Sequence, residues 1–424
     1  MPLHSSQASS WSTIERSIPV ERSIVACMNV LGRLGTVSYR TVSPKYSRQI
    51  HATLVTDQSG RTGGYGKGVY PQNLASALFE LLELAACRRI VALRDARTEI
   101  DSHELYQAGT LPIDAVGDYL RRSAATVPAV RFRAISAPAT PDVWLPAAMY
   151  DPPIGDVDDD AQQQLALGYW STNGYAAGMN GTEALLHAVN EVIERDAFSN
   201  FLLESAFGRP VGSSMLLGDG WLSDLKSEIE RSSSSTIDVR IIPALAGTVA
   251  IAIGSRFDCY QRRLLGMGSS SNAAYAIERA LLEYEEVCAT DYLRAAGQLH
   301  PDDDNFGARA LVENYPFLNE CCRCTTLSPP VDQTEFHVMT ATQPTPVAEQ
   351  LATKIQILQQ AGYPVLARTL FAAAADGSRD GSPTVVQAVV LGAEQFHVVH
   401  VGRVGEPIAR LRTLEVIEAC RRQR

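Results

Sequence analysis

Apolar residues recur at helical spacing in three separate stretches, each entered through a glycine-bearing turn. The most regular is Trp170–Leu203, WSTNGYAAGMNGTEALLHAVNEVIERDAFSNFLL, in which Gly174, Gly178 and Gly181 precede Ala184, Leu185, Leu186, Ala188, Val189, Val192 and Ile193. Thr182 stands where an N-cap is expected. The same grammar appears upstream in GKGVYPQNLASALFELLELA, Gly66–Ala85, and downstream in GMGSSSNAAYAIERALLEYEEV, Gly266–Val287. Aligned on their helices, all three read A-x-x-E-x-x-E: Ala77 with Glu80 and Glu83, Ala188 with Glu191 and Glu194, Ala280 with Glu283 and Glu286. Three copies in one chain point to a repeated unit, or to three helices converging on one site.

Between these stretches the period shortens. Ile50–Thr56, Val127–Ile135, Val143–Tyr150, Val239–Leu245, Thr248–Ser255, Arg263–Gly266, Pro364–Phe371, Thr384–Leu391 and Gln395–Val401 read as strands. Ala246-Gly247 is a tight turn joining two of them. Pro112–Ala125, Trp221–Glu230, Val347–Ala361 and Thr413–Arg422 read as helices, and Ile24–Val37 as a short helix or strand. The acidic run Asp151–Ala161 reads as a solvated loop, because it lacks the alternation of a Ca²⁺ loop. The fold class is α+β with mixed sheets. The expected organisation is a flexible segment over 1–22 and one domain over 23–424, with core motifs at 60–300 and a C-terminal part at 301–424.

Composition narrows the class. The chain has 424 residues, 46% hydrophobic and 20% charged, which is the make-up of a soluble globular protein able to bury a sizeable core. A net charge of −10 argues against nucleic acid as the main partner. No apolar run approaches the ~18 residues of a membrane helix, and the polar, serine-rich start is not a signal peptide. Eight cysteines scattered over this length do not make a disulfide framework, so a reducing cytoplasm is expected.

The carboxylate helices carry the chemistry. If they converge, six carboxylates repel at roughly 4 kcal/mol per close pair, so cations must neutralise them. Hard oxygen ligands suit Mg²⁺ or Ca²⁺, and Mg²⁺ usually brings phosphate. Lys67, Arg195 and Arg279 lie in the same motifs and suit phosphate oxygens. The alternative at this point is three ordinary amphipathic helices with exposed glutamates. Other chemistry is weaker. Cys321, Cys322 and Cys324 lack the spacing and fourth ligand of a metal site and read as plain thiols. His397 and His400 pair with no nucleophile. No G-x-S-x-G, Walker A or post-strand G-x-G-x-x-G occurs, so nucleotide would bind without a P-loop.

Taken together, GKG…SALFELLE, STNGYAAG…EALLHAVNEVIERDA and GMGSSSNAAYAIERALLE resemble the YcaO family, and the likeness continues into VVLGAEQFHVVHVGR (Val389–Arg403). The resemblance implies an α+β YcaO-type fold whose three ExxE helices meet at one nucleotide-metal site. It implies an enzyme that uses ATP and Mg²⁺ to phosphorylate the oxygen of a peptide backbone amide. A neighbouring Cys, Ser or Thr would then give an azoline, sulfide a thioamide, and a backbone amine an amidine. Carried over by motif, Glu80, Glu83, Glu191, Glu194 and Glu283 are metal ligands, and Arg195 and Arg279 are catalytic, phosphate-contacting residues. Ser171 and Asn173 are nucleotide contacts, and Lys67 is a phosphate contact. Glu286 departs from the family, where many members have glutamine. The chain also ends in ACRRQR rather than the Pro-x-Pro-x-Pro tail of many azoline formers. Implied partners are a precursor peptide, a separate peptide-recruiting protein (ubiquitin-activating-enzyme-like, RRE or TfuA-like) and a second copy in a homodimer. Two other roles share the fold: an accessory factor in methylthiolation of a small-subunit ribosomal protein, and a non-catalytic nucleotide-binding subunit.

Overall fold

The structure is a computed structural model that describes residues 14–34, 38–42, 52–56, 62–92, 97–107, 126–135, 142–152, 166, 168–297, 312–338, 345–373 and 382–423. In chain order the elements are α1 (Val20–Arg33), β1 (Ser38–Val42), β2 (Ala52–Thr56), β3 (Thr62–Gly66), α2 (Gln72–Ala92), β4 (Thr98–Asp101), α3 (Ser102–Gln107), β5 (Thr126–Ala134), β6 (Val143–Pro146) and α4 (Ala147–Tyr150). They continue with β7 (Tyr175–Gly178), α5 (Gly181–Ala206), β8 (Ser213–Leu217), α6 (Trp221–Ser233), β9 (Ile237–Ile242), β10 (Thr248–Phe257), β11 (Arg263–Ser270) and α7 (Ala273–Ala295). The last are α8 (Pro316–Arg323), β12 (Asp332–Phe336), α9 (Val347–Gln360), β13 (Val365–Ala372), β14 (Thr384–Val390), a 3₁₀ segment (Phe396–Val401) and α10 (Leu414–Arg421).

Three sheets carry the helices. β1, β2 and β3 form an antiparallel meander. A five-stranded sheet runs β11-β10-β9-β8-β12, antiparallel except for the parallel pair β8 and β12. A third sheet runs β4-β5-β13-β14-β7, with β6 on β5.

Each ExxE helix follows the last strand of its own motif and folds back over it. The strand glycines make this possible. A Cβ on Gly66 would lie 1.9 Å from the Asn73 carbonyl oxygen of α2, and one on Gly268 would lie 2.2 Å from the Ala276 carbonyl oxygen of α7. Gly178 under α5 is also too tight for a side chain, at 2.5 Å from the Ala184 nitrogen. Any side chain there would push helix and strand apart, so the glycines set how deep each glutamate pair sits. Two of the helices start on asparagine caps, where Asn180 accepts from Glu183 N–H and Asn272 from Tyr275 N–H. The expected Thr182 cap is displaced by Asn180, two residues earlier, whose oxygen is better placed for the first free N–H groups.

α5 is the centre of the molecule. Its Val189, Val192, Ile193, Ala197, Phe201 and Leu202 join one large core with β10, β14, α8 and α9. A helix buried on nearly all sides must also satisfy its polar residues. Asp196 accepts from Glu394 N–H at 2.9 Å and from Arg410 at 2.7 Å. Glu183, fully buried, takes Arg16 Nη1 at 3.3 Å and Ser17 N–H at 2.8 Å.

Several expectations change. Within the segment expected to be flexible, residues 14–22 are packed: Ile14 enters the core of α6 and α7, and α1 buries Val20, Ile24, Cys27 and Leu31 against α2. Residues 1–13 lie outside the described residues, as does the predicted helix Pro112–Ala125. Val143–Tyr150 is a strand only to Pro146, then one helical turn. Asp151, read as part of a solvated loop, is 1% exposed and paired with Arg97 and Arg368. Gln395–Val401 is a 3₁₀ segment with His397 buried, because its backbone leaves the sheet to run along α5. Cys321 and Cys322 are buried on α8 and Cys324 caps it, so these thiols sit in the core rather than in a loop.

Candidate active site

The glutamates of α2, α5 and α7 line a single cavity of about 1470 Å³. Glu80 and Glu83 enter from α2, Glu191 and Glu194 from α5, and Glu278, Glu283 and Glu286 from α7. Lys67, Arg195 and Arg279 share its walls. The reading in which these helices merely expose their glutamates to solvent is therefore excluded.

The α2 pair is fixed by backbone. Glu80 accepts from Tyr65 N–H at 2.7 Å, on β3, and Glu83 from Ala177 N–H at 2.7 Å, on β7. Arg195 stands 3.5 Å from Glu194 and 3.8 Å from Glu191. Lys67 forms an ion pair with Glu283. Arg279 makes no ion pair among the described residues, its guanidinium lies 6.0 Å over the Tyr275 ring, and its buried Nε has no hydrogen-bond partner.

Burial, with neighbouring carboxylates adding to it at several positions, raises most of these carboxyls. Burial and the neighbouring Glu286 raise Glu80 to about 8, although Tyr65 N–H opposes the shift. Burial raises Glu191, Glu278 and Glu286 to about 7 and lifts Glu83 well above the carboxylate range. Glu194 is raised by burial and by Glu283. Glu283 alone moves down: burial works against its charge, but Lys67, Arg195 and Arg279 together outweigh burial. Such a set holds protons in the absence of metal and releases them when a divalent cation arrives.

Among the described residues, no three His, Cys, Asp or Glu side chains make a preformed metal cluster. The carboxylates are instead spread along the cavity. Mg²⁺ fits this better than Ca²⁺, because it takes one or two carboxylates and completes its shell with water and phosphate. Partnerless Arg279 Nε is a donor waiting for an oxygen. The residues present therefore fit Mg²⁺ together with a phosphate-bearing nucleotide.

Not every expected residue is here. Ser171 and Asn173 line a separate small cleft between α5, α4 and β14, and it is Thr172, between them, that faces the main cavity. The turn's alternation sends neighbours to opposite sides, which motif spacing alone does not resolve. Arg16, His187, Asn190 and Glu278 also line the cavity and were missed. His187 and Asn190 lie on the α5 face of Glu191 and Glu194, at helical spacing, so periodicity could have found them. Arg16 belongs to a polar stretch without periodicity and carries no signal. Among the described residues, no helix is long and apolar enough to cross a membrane.

Residues 65–394 match the family model of the YcaO cyclodehydratase, described as ATP- and Mg²⁺-binding. No curated protein matches the chain by sequence. The fold is similar to the structure of YcaO from Methanopyrus kandleri bound with AMPPCP and Mg²⁺, with a TM-score of 0.62, 19% identity, and 92% of this chain and 94% of that chain covered. It is also similar to a heterocyclase in complex with substrate and cofactor, with a TM-score of 0.60, 17% identity, and 90% and 53% covered. A third likeness is to the E. coli microcin synthetase McbBCD complex with pro-MccB17 bound, with a TM-score of 0.57, 13% identity, and 85% and 89% covered. The match over most of the chain, on a fold that gathers the three carboxylate helices around one cavity, places this protein in the YcaO family of ATP-dependent, Mg²⁺-binding enzymes.

Proposed function

We propose that the protein activates a backbone amide of a ribosomally made peptide with ATP and converts a neighbouring Cys, Ser or Thr into an azoline. The observation that carries this reading is the cavity: seven glutamates from three repeated helices, with Arg279 unpaired among them. A heterocyclase and a peptide-bound microcin synthetase share the fold. The roles divide by surroundings. Glu80, Glu83, Glu191, Glu194 and Glu283 hold Mg²⁺, which when bound neutralises charge developing on the transferred phosphoryl group. Arg279 and Arg195 hold phosphate oxygens, Arg279 with a planar fork that no carboxylate among the described residues pairs with. Lys67 acts chiefly by holding Glu283, since their ion pair occupies its ammonium group. The amide oxygen is a poor leaving group, so its phosphorylation allows the side-chain nucleophile to close the ring.

Substrate recruitment by a separate protein and a homodimeric assembly belong to the same proposal. The apolar strand expected over Thr384–Leu391 would call for a second copy only if it were an edge needing cover. β14, which contains most of the apolar run Val385–Leu391, lies between β13 and β7 and is not an edge.

The test is mass spectrometry of peptides encoded by neighbouring reading frames, incubated with the enzyme, ATP and Mg²⁺. Loss of one water from a Cys-, Ser- or Thr-containing peptide is expected. Exchange of oxygen for sulfur would replace the azoline product with a thioamide. ATP hydrolysis that leaves every peptide unchanged would remove the amide-activation reading.

A further inference from the structure

One face of α6 is part of the cavity wall. Trp221, Asp224, Leu225 and Glu228 line it, at the i, i+3, i+4, i+7 spacing of a single helical stripe. Leu222 and Ile229 of the same helix are buried and pack with Ile277 and Leu281 of α7. That contact sets α6 beside Glu278 and Leu282 of α7, which line the cavity as well. Glu278 precedes Glu283 by five residues, about 140° around the helix, so the two leave α7 in different directions. The loop over 68–71 completes the rim. A Cβ on Gly68 would lie 3.8 Å from Leu282 Cδ1, and Val69 and Tyr70 are 49% and 67% exposed.

The charge along this wall has one sign. Asp224, Glu228 and Glu278 are its charged groups, and none of them forms an ion pair among the described residues. Asp224 is exposed, Glu228 and Glu278 are half-buried, and Glu278 Oε2 is shielded from solvent without a hydrogen-bond partner. Burial, opposed only by the neighbouring Arg279, raises the Glu278 carboxyl to about 7, as suits a group short of counter-charge. The lysine of α6, Lys226, is bonded to Glu230 at 2.8 Å and does not line the cavity. The cavity's own cations are engaged elsewhere: Arg16 with Glu183, Lys67 with Glu283, and Arg195 with Glu191 and Glu194. Arg279 is the phosphate-holding group of the proposed reaction.

A cavity of about 1470 Å³ exceeds the ~300–1,000 Å³ of an ordinary small-molecule pocket. A nucleotide held at Arg279 and the metal-side glutamates therefore leaves room for a second occupant. The α6 wall states what that occupant should be. Its apolar groups, Val69, Leu225 and Leu282, suit an apolar segment, and its three carboxylates suit a cation. Tyr70 and Trp221 add aromatic rings, which attract ammonium and guanidinium groups. An acidic segment would meet three like charges and be repelled. We propose that this wall selects peptides that carry lysine or arginine beside the residue to be modified, with Asp224, Glu228 and Glu278 as the specificity-determining groups; this rests on the peptide-substrate reading above.

The experiment uses the full chain, saturated with Mg²⁺ and a non-hydrolysable ATP analogue so that the metal side is filled. The probes are two fluorescent peptides of equal length, one with lysine on both sides of a single serine and one with glutamate there. Anisotropy is expected to show the lysine peptide binding at least about tenfold more tightly. Asp224→Lys combined with Glu228→Lys is expected to remove that preference, and Glu278→Gln to weaken the lysine peptide by about threefold or more. Glu349→Lys combined with Glu418→Lys makes the same change of charge at exposed positions that do not line the cavity, and is expected to keep the preference. The rise in melting temperature on adding the analogue with Mg²⁺ shows that each variant is folded. Equal binding of the two peptides, binding of neither, or a preference that survives the α6 reversal overturns the proposal. A preference lost in the surface control overturns it in favour of the net charge of the chain, and tighter binding of the glutamate peptide overturns it in favour of a further metal ion. An unchanged Glu278→Gln removes that residue from the site. Anisotropy reads binding without chemistry, so an enzyme that binds the lysine peptide and alters no peptide in the mass-spectrometric test loses amide activation and keeps this selectivity.

Discussion

Lys67 and Glu283 meet as an ion pair although 216 residues separate them, one in the loop ahead of α2 and the other on α7. The pair ties the first motif to the third and, with Arg195 and Arg279, keeps Glu283 ionised among carboxyls that otherwise retain protons. It also bears on the proposed role of Arg279. Arg279 stands one turn before Glu283 on α7, where a helical salt bridge would be ordinary, yet Glu283 is taken by Lys67 and Arg279 pairs with no carboxylate among the described residues.

The pair is open to a double-mutant cycle with Lys67→Gln and Glu283→Gln. Both side chains are about one-fifth exposed, so solvent screens them in part. Chemical denaturation is expected to show a coupling energy on the order of 1 kcal/mol. Strict additivity would mean that the contact contributes nothing.

Arg279→Lys removes the planar fork and keeps the charge. ATP turnover is expected to fall by one or more orders of magnitude, at about 1.4 kcal/mol per tenfold, with the melting temperature nearly unchanged. Arg195→Lys is expected to fall less, because Arg195 is already shared with Glu191 and Glu194. Steady-state ATPase and peptide-modification assays run side by side decide it. Both variants keeping full activity would place the phosphates elsewhere.

The metal-free protein should lose stability as pH rises from 6.5 to 8. Glu80 is raised from 4.5 to about 8, and Glu191, Glu278 and Glu286 from 4.5 to about 7, so in this window the folded state binds more protons than the unfolded one. Stability therefore falls with pH, by about 1.4 kcal/mol per unit for each extra proton retained. The lowered histidines, His187, His397 and His400, act with the opposite sign only below 6.5, and Lys354, lowered to about 8, only above 8. Mg²⁺ competes with those protons, so the gain in melting temperature on adding it should be larger at pH 8 than at pH 6.5. Scanning calorimetry at both pH values, with and without Mg²⁺, measures this.

Gly66→Ala and Gly268→Ala should each destabilise the fold by about 3 kcal/mol or more, since the new methyl meets a helix carbonyl with no room to give. Gly181, which has nothing within 4 Å of a built Cβ, should accept alanine at little cost. Thermal unfolding of the three variants provides the comparison.

Repeated local grammar was readable from sequence, and tertiary closure was not. The three A-x-x-E-x-x-E helices, the β9–β10 hairpin and α9 follow from periodicity, because each buries one face against a neighbour whose pattern is equally regular. The docking of Ile14–Ser17 left no trace, since it rests on single contacts to Glu183, Asn190, Ser270 and Gln350 rather than on a repeating stripe. Strand order was hidden for a similar reason. An apolar run such as Val385–Val390 reads the same at the edge of a sheet or in its middle. Ser171 and Asn173 show the limit of motif transfer, because a one-residue change of facing within a turn decides which cavity a side chain enters.

The carbonyl of Ile14 is held by a glutamine that the ribosome adds 336 residues later. During synthesis the segment that carries Glu15 and Arg16 therefore gains this anchor only after those to Glu183, Asn190 and Ser270. Contacts of such long sequence separation close late and slowly. A chain stopped before Gln350 lacks that last anchor behind the cavity wall that Arg16 and Ser17 line.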